Sequence, residues 1–276
     1  MTIIDTHAHL AHLENLDDAL QSAQENGVVG IVTVGVDLTA NKKNLEIKVK
    51  TKNPHIYVAL GIHPGNINPS EIDAGLQFIR EHIKEAIAIG ETGLDYWYKW
   101  VKKDAAKKAE QRDVFRRQLA LAQEFDLPVV IHSRGAWRDC LEMTKGAGVK
   151  KAVFHWYSGP LDILEEIIDA GFYVGTTPSL AYSPQSRLAI SHAPLERILI
   201  ETDCPVFFPW PACHSSGGGQ DDQGGFKSQP KDVFRTLKAY SQLKNIDEEK
   251  ALAIFNQNAS DFLRISFEPP IFGHQI

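Results

Sequence analysis

Short apolar runs and longer amphipathic segments alternate along most of the chain. The apolar runs fall at residues 3–6, 28–34, 56–60, 86–89, 127–131, 151–154, 172–175 and 197–200. Nearly continuous apolar runs of this length are typical of strands in a parallel sheet that is covered by helices. Segments with helical spacing lie between them, at residues 16–25, 39–50, 69–82, 104–125, 136–144, 161–169 and 184–192, and two more follow at 231–243 and 247–263.

Eight strand and helix repeats in a chain of 276 residues predict an α/β fold, a single (β/α)8 TIM barrel with extra C-terminal helices. An open doubly wound sheet is the alternative. Such a sheet usually places a glycine-rich phosphate turn after its first strand, and here histidines follow the first run. Residues 1–276 are therefore predicted to form one domain. The segment from Pro209 to Gln229, rich in glycine, serine and proline, is predicted to be a flexible loop inserted into that domain.

Composition and charge narrow the class of protein. Hydrophobic residues make up 43% and charged residues 23%, which excludes a largely disordered chain or a fibre. No apolar stretch approaches the roughly 20 residues that cross a bilayer, and no signal peptide is recognisable, so a cytoplasmic protein without a membrane partner is predicted. The net charge of −6 excludes nonspecific coating of nucleic acid by bulk positive charge. It permits a phosphate site in which bound metal ions supply the positive charge.

The three cysteines, Cys140, Cys204 and Cys213, form no disulfide framework, and reduced thiols are predicted. Cys204 and the adjacent pair Cys213 and His214 raise the alternative of a thiolate zinc site. Such sites usually contain a second close cysteine pair, which the sequence lacks, so buried or loop thiols are the preferred interpretation.

The first apolar run continues into Asp5-Thr6-His7-Ala8-His9. Side chains two residues apart on a strand point to the same side, so both imidazoles can converge on one metal ion. A pair like this is a weak signal alone, and two polar residues at a strand end without a shared ligand are the alternative.

Histidines and carboxylates also follow four other apolar runs, the fourth, fifth, sixth and eighth. In a closed parallel barrel the carboxyl ends of the strands surround one mouth, and barrel enzymes have their active sites there. The sequence therefore predicts a metal site at this mouth. The candidate ligands are His7, His9, Glu91, His132, His155 and Asp203.

Seven short motifs together resemble those of the TatD-type metal-dependent hydrolases, a branch of the amidohydrolase-like barrels. They lie at residues 5–10, 61–64, 90–95, 111–115, 131–134, 154–159 and 201–205, in the family's order and across most of the chain. As a set they are highly specific, whereas the first motif alone is shared with other metallohydrolases. The resemblance implies a TIM barrel, a centre of two metal ions, and phosphodiester hydrolysis, with deoxyribonuclease as the usual activity.

The resemblance also implies how the ligands divide. One divalent ion would be held by His7, His9 and Asp203, and the second by His132 and His155. Glu91 would bridge them, which suits a carboxylate because its two oxygens can contact two ions. The candidate ions are Zn, Mn and Mg. Imidazole ligands suit Zn, Mn, Fe or Co better than a magnesium site made only of oxygen.

Three residues are predicted to act in catalysis. Asp203 would orient the attacking water and accept its proton, Glu91 would bridge the ions, and His63 would contact the substrate phosphate. A hydrogen-bonded loop histidine before Pro64 is the alternative for His63.

Substrate contacts are predicted at the rim of the barrel. Arg134 would neutralise phosphate charge, and His63 would contact phosphate as well. Tyr96 and Trp156, or their neighbours Trp97 and Tyr157, would stack on an unpaired base, with packing at the rim as the alternative.

The predicted substrate is DNA, single-stranded or at its ends, or a small phosphodiester. An amide or lactone hydrolase of the wider superfamily is the first alternative, and a noncatalytic metal-binding scaffold is the second. Many relatives of the first kind bridge their ions with a carboxylated lysine, so Glu91 favours the nuclease branch. Two departures from the family affect substrate recognition. An Arg-Asn-Glu-Pro segment is replaced by residues 227–230, Lys-Ser-Gln-Pro, and the basic aromatic stretch 96–108 is longer than usual.

Overall fold

Eight parallel strands form one sheet in the order of the chain in the computed structural model, which describes residues 1–209 and 224–266. The strands are β1 Ile3–Ala8, β2 Val28–Val34, β3 His55–Leu60, β4 Ala88–Gly93, β5 Val129–His132, β6 Ala152–Phe154, β7 Tyr173–Thr176 and β8 Ile198–Ile200. Each strand pairs with the next. Helices separate them, which makes every connection a β/α crossover.

The sheet closes into a barrel because β1 meets the segment that follows β8. Ala8 and Cys204 form a parallel bridge. The backbone N–H of His9 donates to the carbonyl of Cys204 at 2.7 Å, and that of Asp203 donates to His7 at 2.9 Å. Below this bridge, the Thr6 hydroxyl donates to the carbonyl of Ile200 at 2.9 Å. The predicted TIM barrel is confirmed.

Helices cover the outside of the barrel. They are α1 Leu16–Glu25, α2 Leu38–Lys50, α3 Ile72–Glu81, α4 Lys99–Lys102, α5 Ala105–Glu124, α6 Trp137–Gly146, α7 Leu161–Asp169, α8 Pro184–His192, α9 Val233–Lys244 and α10 Glu248–Leu263. Several begin at a side chain that accepts backbone N–H groups of the first turn, as N-caps do, namely Asp37, Asp104, Ser183 and Asp247. None of the described helices is both long and apolar enough to span a membrane.

Two apolar layers hold the barrel together. The larger layer lies between the sheet and the helices, and includes alternate strand residues such as Val129 and Ile131. The smaller one gathers residues from all eight strands, including Ile4 and Val130, with Phe262 of α10, and it fills the barrel interior. Successive side chains on a strand point to opposite faces, so this division shows which positions face inward.

Register irregularities change the direction of two functional side chains. Ile4 and Ala88 belong to the interior layer, so strict alternation would point His7 and Glu91 outward. The pairing shifts between Asp5 and Ala8 in β1, and between Ile89 and Thr92 in β4. Bulges of this kind redirect side chains near active sites. Both irregularities lie where His7 and Glu91 turn toward the mouth.

Two sequence predictions differ from the structure in extent. β4 continues to Gly93, four residues beyond the predicted end at residue 89, because Thr92 and Gly93 pair with β5 despite their polar surroundings. The predicted flexible loop over residues 209–229 contains strand residues near both of its ends. Two further strands, β9 Phe207–Pro209 and β10 Gly225–Lys227, pair antiparallel there. The rest of that predicted loop, residues 210–223, lies outside the described residues, as does Cys213.

Candidate metal centre

Four ligand atoms from three segments of the barrel converge at its mouth. His7 Nε2 and His9 Nε2 lie 3.4 Å apart. Each is close to Glu91 Oε2, at 3.5 and 3.4 Å, and to Asp203 Oδ1, at 3.4 and 3.1 Å. We call these four residues the first cluster. All are buried except His9, whose side chain remains 15% exposed.

The first cluster has the dimensions of a metal site. A tetrahedral ion bound at about 2.0–2.1 Å separates its ligand atoms by about 3.3–3.4 Å. The nitrogen and oxygen atoms of the first cluster lie 3.1–3.5 Å apart. Two imidazole nitrogens and two carboxylate oxygens are also donors that zinc and related divalent ions accept. The residues therefore fit a divalent metal ion.

The second oxygen of Glu91 faces a different set of residues. Oε1 lies 2.9 Å from His132 Nδ1 and 3.6 Å from His63 Nε2. His132 ends β5, which has no register shift in its pairing with β6, and points inward like Val130 two residues earlier. Glu91 is only 2% exposed. One buried carboxylate thus stands between the pair His7 and His9 on one side and His132 on the other.

His155 approaches the centre from the end of β6. Its Nε2 lies 3.6 Å from Asp203 Oδ1, and its ring stacks on that of His7 with centroids 3.7 Å apart. Its other nitrogen, Nδ1, lies 2.9 Å from Glu201 Oε1, although without hydrogen-bond geometry. His132 and His155, which we call the second pair, therefore each present one nitrogen toward the centre and one toward a carboxylate behind the ring.

Two buried carboxylates behind the second pair were not among the predicted site residues. Asp95 Oδ2 lies 2.9 Å from His132 Nε2, and Glu201 supports His155 and also accepts the N–H of Trp156 at 2.8 Å. Histidine ligands of metals are commonly oriented by a carboxylate of this kind. A sequence signal existed, because Asp95 is four residues after Glu91 and Glu201 is two residues before Asp203.

Charges around the centre shift the pKa values of its histidines in different directions. Burial alone lowers the pKa of His132, but Asp95 and Glu91 outweigh it and raise the pKa to about 9. Burial likewise opposes Glu201 and Asp203 at His155, where the carboxylates raise the pKa well above its usual value. His7 has a lowered pKa, because burial and the charge of His155 outweigh the nearby carboxylates.

The pKa values of the two shared carboxylates are lowered. Burial works against this, but the surrounding imidazoles hold the pKa of Glu91 well below its usual range, and His155 and His9 do the same for Asp203. Both groups are therefore ionised at neutral pH. For His9, the hydrogen bond and charge of Asp203 outweigh burial and raise the pKa.

His63 differs from the other histidines of the centre because its free nitrogen carries the proton. The backbone N–H of Gly65 donates to His63 Nδ1 at 2.9 Å. Burial lowers the pKa of His63 to about 3, so the ring is neutral and its proton must be on Nε2. That nitrogen faces the centre as a hydrogen-bond donor and has no lone pair for a metal ion. The phosphate contact of His63 stays a prediction.

Unusual backbone conformations occur beside two of the functional side chains. Asp203 has a φ of +53° and Trp156 has a φ of +42°. A left-handed conformation is uncommon outside glycine, above all for a bulky residue, and such residues cluster at functional sites. Gly175 has a related role, since a side chain there would collide with the carboxylate of Glu201. The backbone at Asp203 and Trp156, and the missing side chain at Gly175, thus allow the carboxylates to take their places around the centre.

A cavity of about 740 Å³ opens above the centre. Of the predicted substrate contacts, His63, Arg134 and Trp156 line it, and Tyr96 does not. The Tyr96 hydroxyl instead donates to Asp139 at 2.9 Å, and the aromatic residue that lines the cavity from this stretch is its neighbour Trp97. Arg134 is the only lysine or arginine in the lining among the described residues. Positive charge at the mouth is therefore scarce.

The described thiols do not join the candidate metal groups. Cys140 and Cys204 are buried and unpaired. The groups of ligand atoms that lie within 4.8 Å of one another in the described part of the chain consist of histidines and carboxylates. Burial raises the pKa of both thiols, which disfavours the thiolate that a metal requires. The geometry therefore gives no support to thiolate ligation by Cys204.

Comparison of the sequence with protein families agrees with this geometry. The family model described as TatD related DNase matches residues 4–264. The uncharacterized metal-dependent hydrolase YabD of Bacillus subtilis is 31% identical over 96% of this chain and 100% of its own length. The human protein named deoxyribonuclease TATDN3 is 28% identical over 93% of each chain.

Solved structures show the same fold. YjjV of Escherichia coli, a TatD homologue, superimposes with a TM-score of 0.80 and 24% identity, over 96% of this chain and 98% of its own. A TatD family hydrolase of Entamoeba histolytica gives the same TM-score and identity, over 95% of this chain and 98% of its own. Both similarities extend over nearly the whole barrel.

Proposed function

Because the chain belongs to the TatD-related DNase family of metal-dependent hydrolases, we propose that it cleaves phosphodiester bonds in DNA with two divalent metal ions. The preferred substrate is single-stranded DNA or a DNA end. Of the relatives, the human protein bears the name of a deoxyribonuclease. The scarcity of positive charge at the mouth fits a site in which metal ions, rather than lysines and arginines, neutralise the phosphate.

The position of Glu91 carries the proposal of two ions. Its Oε2 lies within 3.5 Å of the first histidine pair, and its Oε1 lies 2.9 Å from His132. The two oxygens of one carboxylate thus face two separate histidine sets, which is the arrangement that bridges a pair of ions about 3.5–4 Å apart. The first ion would be held by His7, His9 and Asp203, the second by His132 and His155, with Glu91 on both.

The protein groups then have separate tasks. Bound divalent ions lower the pKa of water and neutralise charge on phosphate oxygens. Asp203, ionised at neutral pH, orients the attacking water and accepts its proton. His63 donates from Nε2 to a nonbridging phosphate oxygen, and Arg134 adds positive charge from the cavity wall. The cavity has a volume that suits a ligand of one or two nucleotides.

Metal analysis combined with a substrate panel tests the proposal. Protein saturated with Zn or Mn is expected to hold two equivalents and to hydrolyse bis-p-nitrophenyl phosphate and single-stranded DNA. A stoichiometry that stays at one would contradict the bridged pair. Hydrolysis of amides or lactones, without activity on either phosphodiester, would establish the other branch of the superfamily.

Glu91→Gln sharpens the same test. The amide removes the negative charge that both ions share, so it is expected to lower total metal content and phosphodiester turnover together. Glu85→Gln is a matched control, because that glutamate is exposed and pairs with His82 at 2.7 Å on the outside of the barrel. Unchanged metal content in Glu91→Gln would exclude the bridge.

A further inference from the structure

A fixed aromatic side chain stands at one side of the cavity. The carbonyl of Arg134 accepts the N–H of Tyr96 at 3.0 Å, and Asp95 Oδ1 accepts the N–H groups of Trp97 and Tyr98 at 2.8 and 3.2 Å. Asp95 is the same carboxylate that contacts His132. The backbone at Trp97 is therefore hydrogen-bonded to the carboxylate that also holds His132.

Trp97 is an aromatic residue whose ring is exposed at the wall of the cavity. It lines the cavity and is 56% exposed. Tyr157 is 1% exposed, and its hydroxyl donates to the carbonyl of Pro160 at 2.6 Å. Trp156 lines the cavity but packs against Phe208, with ring centroids 5.5 Å apart. An exposed indole on the wall of a cavity offers a face on which a base can stack.

Two cations flank the Trp97 ring. Lys102 Nζ lies 4.9 Å from its centroid and Arg134 Cζ lies 5.8 Å away, both within the range of a cation–π contact. Among the described residues, neither cation has a carboxylate within 4.0 Å. Each cation lies over the indole, so a base that stacks there takes its place on the ring and leaves its charge to a phosphate, on a chain whose net charge is −6.

We propose that Trp97, Lys102 and Arg134 form a stacking platform for a nucleobase next to the scissile phosphate of single-stranded DNA. The inference rests on the proposed function and adds a binding site to it. A base has an aromatic face that stacks on an indole, and the phosphates on either side of it are attracted by the two cations. A paired base cannot leave its helix without cost, so the platform selects unpaired ends.

An abasic oligonucleotide isolates the stacking contribution. Wild-type protein is compared on decathymidylate and on the same oligonucleotide lacking the base beside the cleaved bond. The wild type is expected to have a KM about 10-fold or more higher on the abasic substrate, since stacking is lost. Trp97→Ala is expected to show one KM for both, and Trp97→Phe is expected to keep part of the preference. A general defect in folding would not remove the ratio between two substrates.

Trp100→Ala is the matched control. Trp100 is 48% exposed and close in sequence, but it stacks on Tyr98 and does not line the cavity. Its variant is expected to keep the wild-type ratio. A Trp97→Ala protein that retains the ratio would overturn the platform. Failure of the wild type to cleave either oligonucleotide would instead overturn the proposed function, and the platform's role with it.

Lys102→Gln tests whether a cation of the platform contacts a phosphate of the DNA. A phosphate contact does not depend on the base, so the variant is expected to raise KM equally on the intact and abasic substrates. It is also expected to reduce the salt dependence of log KM by roughly one unit of slope or less. An effect confined to the intact oligonucleotide would contradict the assignment of Lys102 to phosphate.

Discussion

The two histidine pairs of the centre are held in different ways. His7 lies in β1 and His9 directly follows that strand, and their Nδ1 atoms have no hydrogen-bond partner in the described part of the chain. His132 and His155 come from separate strands, and each has a buried carboxylate behind its ring, Asp95 or Glu201. The first pair is therefore positioned by backbone and burial, and the second by side chains that contact it from behind.

This difference has a consequence for protons. Carboxylates on two sides raise the pKa of both members of the second pair, whereas the pKa of His7 is lowered by burial. The second pair is thus expected to be protonated when it holds no metal, and to exchange its protons for an ion. The first pair is closer to a ready ligand set, since one of its rings is already neutral.

Asp203→Asn is expected to have the largest effect, because Asp203 reaches a histidine of each pair and is also the group proposed to accept the proton of the attacking water. Its Oδ1 lies 3.1 Å from His9 Nε2 and 3.6 Å from His155 Nε2. An amide can still coordinate weakly but cannot accept a proton near neutral pH, so turnover is expected to fall by about 10²–10⁴ or more.

The measurement is phosphodiester turnover and thermal melting at saturating metal. The melting temperature is expected to change little, because Asp203 lies at the rim and outside the apolar layers. Near-normal turnover would remove Asp203 from the mechanism and point to Glu91 or Glu201 instead.

Asp95→Asn is expected to weaken the binding of one metal ion and leave the binding of the other unchanged. The amide donates a hydrogen bond to His132 Nε2, which moves the ring proton to Nδ1, the nitrogen that faces Glu91. Loss of an outer partner of this kind typically costs about 10–100-fold in metal affinity. Titration with Zn is expected to show the first equivalent unchanged and the second weaker.

Asp73→Asn provides the control for that titration. Asp73 is an exposed aspartate that pairs with Arg117 on the helical surface at 2.5 Å. Equal weakening of both equivalents in Asp95→Asn would mean that the two histidine pairs are not supported separately.

A smaller effect is expected from pH. His132 has a pKa raised to about 9, and the pKa of His155 is also raised, so binding of the second ion competes with protons on both rings. At the first cluster His7 is already neutral, and only His9 must lose a proton. Each displaced proton changes affinity by about 10-fold per pH unit. Affinity for the second ion is therefore expected to fall more steeply as pH is lowered from 8 to 6.

Chelator competition at several pH values measures how the logarithm of the affinity for each equivalent of metal changes per pH unit. The affinity of the second equivalent is expected to change more steeply with pH than that of the first. Parallel slopes would show that the carboxylates behind the second pair do not hold protons on it.

Much of this arrangement was predictable from the sequence, because a parallel barrel collects its strand ends at one mouth. Each candidate ligand lies within three residues of the end of an apolar run, and the structure brings all of them around Glu91 and Asp203. The fold prediction was confirmed for the same reason. Eight alternating repeats leave few other topologies for a chain of 276 residues.

The supporting details were not predictable from periodicity. Asp95 and Glu201 act on rings from other strands, and such pairing depends on register between strands. Alternation alone would have pointed Glu91 outward, and only the shift in β4 turns it inward. Which of Tyr96 and Trp97 lines the cavity likewise depends on Asp139 of α6, because its carboxylate accepts the hydrogen bond of the Tyr96 hydroxyl.

The bridge between Ala8 and Cys204 couples formation of the first cluster to closure of the barrel. His7 and His9 lie at the end of the first strand and Asp203 follows the last. The first cluster therefore forms only after the two ends of the sheet have met. An incomplete chain that lacks β8 has the histidines but not this binding site. An ion held across the seam stabilises the closed ring by mass action, because the open chain binds it less well. Metal retention therefore reports whether the molecule has finished folding.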